Sequence, residues 1–248
     1  MKRNSFRRLV YLFLVAITTT ILALNTQSNS QGPSDASAHY KKGVEHYNAG
    51  AYQEAIKEYQ QTVSLRPDWV FPYSGLGLAY FRMEKYKEAT DAFTQAIKID
   101  PKYYPAYNGL GDVYYRLEQH EQAVASYKEA LRLDPNNPGA YIKLGRSYNT
   151  LKRYTEAIEL LDKALRLKPD YAEAYVYKGN TYNRTSQYKE AVAAYKQAIR
   201  FKPDYAEAHL GLGIAYDGMG NSRGAREQVK ILKTLNADLA KKLSDAIQ

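Results

Sequence analysis

Residues 70–103 read VFPYSGLGLAYFRMEKYKEATDAFTQAIKIDPKY, and the spacing of their apolar groups decides the fold. Tyr73, Leu76, Gly77 and Tyr80 fall at offsets of three, four and seven residues, which places them on one face of an α-helix. A charged turn follows at Glu84 and Lys85. Ala89, Phe93, Ala96 and Ile97 then resume the helical spacing until Pro101, whose ring and missing N–H forbid continuation. The stretch therefore reads as two helices of about 12–14 residues each, too short to persist alone in water. They must pack against each other and against neighbouring pairs.

The neighbours have the same pattern. Pro67, Pro101, Pro135, Pro169 and Pro203 are each 34 residues from the next. Gly43, Gly77, Gly111, Gly145, Gly179 and Gly213 keep that interval, as do Ala55, Ala89, Ala123, Ala157, Ala191 and Ala225. Three columns in register without an insertion define a repeat array. Glycine inside a helix costs about 1 kcal/mol relative to alanine, so a column of six is tolerated only where bare backbone lets helices approach closely.

Large rings are expected to fill the spaces between. Tyr73, Tyr107, Tyr141 and Tyr175 form one column; Tyr80, Tyr114, Tyr148, Tyr182 and Tyr216 a second. Tyr52, Tyr86, Tyr154 and Tyr188 form a third, and Tyr59, Tyr127 and Tyr195 a fourth, so 16 of the 25 tyrosines have packing positions. Trp69, Tyr103, Tyr171 and Tyr205 add an aromatic column just after the prolines.

A 34-residue helix–turn–helix with Tyr-x-x-Leu-Gly-x-x-Tyr, then Ala, an aromatic, Ala and Pro, resembles the tetratricopeptide repeat family. The resemblance covers units 36–69, 70–103, 104–137, 138–171, 172–205 and 206–239. It implies an all-α fold: a right-handed superhelical solenoid of six repeats, with the first helices lining its concave side. Departures sit at the ends. His39 and His46 replace rings in the first unit, while Val229, Leu232 and Ala237 replace the aromatic, the small residue and the proline of the sixth. Terminal repeats deviate because one face meets water. Leu235, Leu239, Leu243 and Ile247 continue an apolar stripe, so residues 236–248 are read as a capping helix.

Composition narrows the chemistry. The chain of 248 residues is 45% hydrophobic and 25% charged, as in folded soluble proteins. It has no cysteine, which excludes disulfides, Cys-bound zinc, iron–sulfur clusters and thiol nucleophiles. The net charge of +9 includes Lys2, Arg3, Arg7 and Arg8, which precede the first acid, Asp35; the remainder balances 31 basic against 26 acidic residues with no basic run. Nucleic acid is therefore a disfavoured partner. Gly75-Leu-Gly77, Gly109-Leu-Gly111 and Gly211-Leu-Gly213 lie inside helices rather than after strands, so they do not form a dinucleotide turn. His39, His46, His120 and His209 occupy aromatic columns. His39 and His46 share one helix with no acid or cysteine in either ring column, so no metal and no cofactor is expected. No catalytic constellation is evident, and an enzyme is not expected.

Residues 1–8 are basic and Leu9–Leu24 is a run of 16 uncharged, mostly apolar residues. A helix of that length reaches about 24 Å, less than the roughly 30 Å hydrocarbon core. Residues 1–24 therefore read as an export signal, followed by a polar linker over 25–35. Small-x-small cleavage sites are weak, so the alternative is an uncleaved anchor holding the chain to a membrane through residues 9–24. Either reading places the repeats outside the cytoplasm, periplasmic or secreted.

Subtracting the packing columns leaves a second face on the first helices. It is apolar early, with Tyr47, Leu78, Phe81 and Tyr115, and polar in the middle. The groove residues expected to hold a peptide are Asn108, Asp112, Tyr115, Arg116, Arg146, Asn149, Asn180, Asn183 and Arg184. Amides one repeat apart can donate to and accept from an extended backbone, and Arg146 could grip a carboxylate with two hydrogen bonds. The resemblance also implies a test for a carboxyl-terminal clamp. Asn180 matches one of its positions, but Val176 stands for the lysine and Gly211 for the next asparagine, so a chaperone-tail receptor is not expected. The expected function is a non-catalytic scaffold that binds a protein or peptide partner. The alternatives are a helical-repeat RNA binder and an assembly chaperone for membrane complexes.

Overall fold

Helix, turn, helix recurs through the computed structural model, which describes residues 34–247. The leader expected over residues 1–24 lies outside the described residues. Among the described residues every regular element is a helix, and none is long and apolar enough to cross a membrane. The chain divides into two compact units, one ending at Tyr103 and the other beginning at Tyr104.

The first unit holds α1 (34–48), α2 (Tyr52–Leu65), α3 (Val70–Arg82) and α4 (Tyr86–Ile99). Tyr40, Val44 and Tyr47 of α1 pack on a core of Ala55, Ile56, Tyr59, Leu76 and Ala79. The second unit holds α5 (Tyr104–Arg116), α6 (His120–Leu133), α7 (Pro138–Thr150), α8 (Tyr154–Leu167) and α9 (Ala172–Arg184). It continues with α10 (Tyr188–Phe201), α11 (Ala206–Gly218), α12 (Ser222–Leu235) and α13 (Ala237–Ala246). Within it, consecutive helices pack in series, and the first helices α7, α9 and α11 also touch one another in turn. This is the stacked arrangement that the 34-residue period calls for.

The glycine column works as the sequence requires. A Cβ on Gly77 would stand 2.6 Å from the ring of Phe93, and one on Gly179 would stand 2.7 Å from the ring of Tyr195. Gly111 meets Tyr127 in the same way, and Gly145 meets the smaller Leu161. In the sixth repeat Val229 is too small to fill this position, and Leu243 of α13 lies against Gly213 instead. That contact seats the cap: α13 buries Ala240 and Leu243 against Val229 and Leu232. The expected stripe is corrected in one place. Leu235 is exposed, because α12 stops there and Asn236 caps a new helix by accepting from Leu239 N at 3.0 Å.

Each turn between paired helices is built on one left-handed residue. Gly50, Glu84, Glu118, Lys152, Ser186 and Gly220 all have positive φ. The following N–H reaches back five residues, as in Lys85 N to Tyr80 O at 2.9 Å and Arg153 N to Tyr148 O at 2.8 Å, which satisfies carbonyls that the helix end would leave bare. Only the two terminal turns use glycine; the four inner ones hold side chains in a conformation that costs them about 1–2 kcal/mol.

Two stability outcomes follow from these contacts. Gly77→Ala, although it raises helix propensity, should lower the free energy of unfolding by about 1–3 kcal/mol, because Phe93 must move; a shifted denaturant midpoint measures it. Lys152→Gly should raise it by up to about 1 kcal/mol by relieving the left-handed turn, read from the same titration.

Candidate functional site

One face of the second unit carries a cavity of about 590 Å³. Its walls come from the first helices: Tyr115 of α5; Arg146, Asn149 and Thr150 of α7; Tyr177, Asn180, Asn183 and Arg184 of α9; and Glu207, Leu210 and Ile214 of α11. Tyr195 of α10 and Gly211 form part of its floor, and Lys242 of α13 stands at its edge. The helical period explains this lining, since residues three and four apart project to one side and the same columns recur every 34 residues. Arg146, Arg184 and Lys242 outnumber Glu207, so the lining is net basic.

Of the residues expected from sequence, the fold brings Tyr115, Arg146, Asn149, Asn180, Asn183 and Arg184 together in this cavity. Asn108, Asp112 and Arg116 do not line it. Asp112 accepts from Tyr127 Oη at 2.8 Å and is ion-paired with Lys143 Nζ at 2.6 Å, so its carboxylate is already spent on the protein. Burial, then that carboxylate, push the Tyr127 hydroxyl well above the ordinary tyrosine range.

Arg146 is held rather than free. Its guanidinium lies 3.9 Å from the Tyr115 ring centroid, and Nη1 donates to Tyr177 Oη at 3.4 Å, an arrangement in which the ring face attracts the cation. The Nε of Arg146 and the Oδ1 of Asn149 are buried without a partner, and Asn149 as a whole is only 6% exposed. This repeat has Leu161 where its neighbours have Tyr127 and Tyr195 and contributes no hydroxyl of its own beneath these side chains. A buried polar group left unpaired costs about 1–3 kcal/mol, and a ligand that supplies the missing partner recovers it.

Asn183 and Asn180 are tied into the floor. Asn183 Nδ2 donates to Tyr195 Oη at 3.2 Å and to Gly211 O at 3.1 Å, while Tyr195 Oη donates to Asn180 Oδ1 at 2.6 Å. Burial raises the Tyr195 hydroxyl above its usual range and the Asn183 amide draws it back in part; it stays a neutral donor near pH 7. The Oδ1 atoms of Asn183 and Asn108 also lack partners.

Tyr177, Tyr195, Gly211 and Lys242 were missed by the sequence reading. The tyrosine columns place Tyr195 in packing alone, and Gly211 enters the sequence reading only as a departure from the carboxyl-terminal clamp. A signal was available: Lys143 and Gly211 share a column, so one repeat fills a position that another leaves bare. Lys242 belongs to no repeat column and is brought in only by the fold of α13.

In the first unit the corresponding helix face is apolar, with Phe71 45% and Leu78 40% exposed. His120 packs with its ring centroid 5.2 Å from that of Tyr115, and the reading of His39 needs one correction. His39 Nδ1 lies 2.6 Å from Glu58 Oε2, an acid on the second helix that a search of the ring columns alone does not find. His209 has the equivalent neighbour in Gln228 Oε1 at 2.7 Å, and Nε2 donates to Pro203 O at 2.9 Å. Among the described residues no group of three or more acids and histidines is placed to hold a metal.

Known proteins share this architecture. The chain is 27% identical to MamA, matching 71% of this chain and 92% of that one with a TM-score of 0.57. It is 21% identical to YrrB, a TPR protein with an unusual peptide-binding site, over 75% of this chain and 97% of that one, with a TM-score of 0.59. PilW, a type IV pilus biogenesis factor, is 18% identical over 86% of this chain and 98% of that one, with a TM-score of 0.78. No curated protein matches the chain in sequence. Models of the tetratricopeptide repeat match residues 74–138, 110–172 and 160–193, and the TPR repeat model matches 43–84 and 179–220. With those matches running unbroken from residue 43 to residue 220, the chain belongs to the tetratricopeptide repeat family.

Proposed function

We propose that this protein is a non-catalytic scaffold that holds an extended segment of a partner protein in the cavity lined by α5, α7, α9 and α11. The observation that carries this reading is the pair of buried, unpartnered atoms, Oδ1 of Asn149 and Nε of Arg146, on two residues that line one open cavity of about 590 Å³. Native proteins pair nearly all such atoms, and a polypeptide brings the alternating donors and acceptors that these side chains lack. Tyr115, Leu210 and Ile214 supply apolar surface for the segment's side chains. The same fold carries a peptide-binding site in YrrB. The basic lining favours a segment bearing acidic side chains over a basic one.

The repeats act on the exported side of a membrane in this reading, which is supported by the basic residues 1–8 and the apolar run Leu9–Leu24. The leader is either removed or retained as a tether.

Crosslinking followed by pull-down tests the site. Asn149→Ala/Asn183→Ala should reduce partner recovery about tenfold or more relative to the native protein; equal recovery would move the interaction away from this cavity while leaving the fold intact. The intact mass of the chain isolated from its source should be lower than that of 248 residues by the weight of the leader, and a full-length mass would replace the cleaved signal with an anchor.

A further inference from the structure

Tyr195 reaches the cavity floor from α10, its ring lying between the bare backbones of Gly179 and Gly211. Its hydroxyl is engaged in two directions. It donates to Asn180 Oδ1 at 2.6 Å and accepts from Asn183 Nδ2 at 3.2 Å. The second hydrogen of the Asn183 amide is directed at Gly211 O, 3.1 Å from Nδ2. Asn183 therefore has both donors spent and its Oδ1 unpartnered. Asn180 is held the other way: its oxygen is taken, and its NH2 is the unspent end of a side chain that lines the cavity. One hydroxyl imposes opposite polarity on two amides one helical turn apart.

We infer that Tyr195 is a positioning residue of the groove: its hydroxyl sets Asn180 as donor and Asn183 as acceptor, so that the pair engages the C=O and N–H of an extended peptide backbone. This rests on the groove reading above and specifies what the groove recognises. Asn149, 6% exposed with its Oδ1 unpaired, supplies a further acceptor from the preceding repeat. Every peptide unit carries one donor and one acceptor, so such a surface tolerates varied side chains and demands an unmodified, extended backbone. Without the hydroxyl, the terminal torsion of an asparagine is broad and two-fold, and the set polarity is lost.

The device depends on a combination of residues found at one place. Tyr127 occupies the same column, but its partner is the carboxylate of Asp112, which Lys143 closes over from the position where Gly211 leaves space. Tyr59 also lies between two glycines, Gly43 and Gly75, yet Val44 stands where Asn180 would, and there is no amide to orient. Among the described residues, Tyr195 alone in this column combines a neutral amide partner with open space above it.

A peptide selected from a random dodecapeptide display library on the purified protein supplies the probe, synthesised with and without single backbone N-methyl groups. Tyr195→Phe keeps the ring between its glycines and should bind the parent peptide about tenfold more weakly, with an unchanged circular dichroism spectrum. At one backbone position, N-methylation should weaken binding to the native protein about tenfold and leave binding to Tyr195→Phe unaltered. A tyrosine of merely structural importance would lower the thermal midpoint and preserve the penalty for N-methylation, and that result overturns the inference. If Tyr195→Phe binds like the native protein while Asn149→Ala does not, the groove stands and the positioning role falls. If no peptide is enriched, or the enriched ones bind Arg146→Ala and Asn149→Ala unchanged, both readings fall together.

Discussion

Tyr59 over Gly43, Phe93 over Gly77, Tyr127 over Gly111 and Tyr195 over Gly179 are one contact made four times, a second-helix ring lying where the first helix has no side chain. The contact does more than fill space. A helix pair so joined comes close enough for the far end of the ring to pass between neighbouring first helices, and when the ring is a tyrosine its hydroxyl emerges on the other side. Packing and site chemistry are thereby carried by the same residue. Tyr127 delivers its hydroxyl to Asp112 and Tyr195 delivers its own to Asn180 and Asn183.

Replacing the ring changes the site rather than the fold. Leu161 satisfies the requirement for bulk against Gly145 but brings no hydroxyl, so this second helix does not tie down Arg146 and Asn149 as Tyr195 ties down Asn180 and Asn183. Each repeat thus has the same backbone and a different polarity on its groove face. The repeat array needs this tolerance, because its stability is close to a sum of local interfaces and a change in one unit leaves the next intact. The cap follows the same rule: Leu243 takes the place of the absent ring over Gly213, and the last open face is closed by a residue outside the repeat.

The helical periodicity, the glycine and proline columns and the turn at Glu84 and Lys85 were legible because they are local or strictly periodic. The candidate site was legible only in outline. Tyr115, Arg146, Asn149, Asn180, Asn183 and Arg184 were found by removing packing positions, and they do share one cavity. Asp112 was read as an open carboxylate, although Lys143, 31 residues later, neutralises it. Glu58 was not associated with His39 for a similar reason, since folding of the hairpin brings the second helix back against the first.

By itself the sequence determined the family, the all-helical architecture, the register of the helices and which faces are buried, since each follows from spacing along the chain and from the conformational limits of glycine and proline. Tertiary structure decided which polar groups on the remaining face are still available. Hydrogen bonds consume donors and acceptors one at a time across helices, so whether Asn183 offers its nitrogen or its oxygen depends on Tyr195 and Gly211 arriving from two other helices. Column arithmetic does not contain that information, because the outcome depends on distances of about 3 Å between residues that no periodic rule pairs.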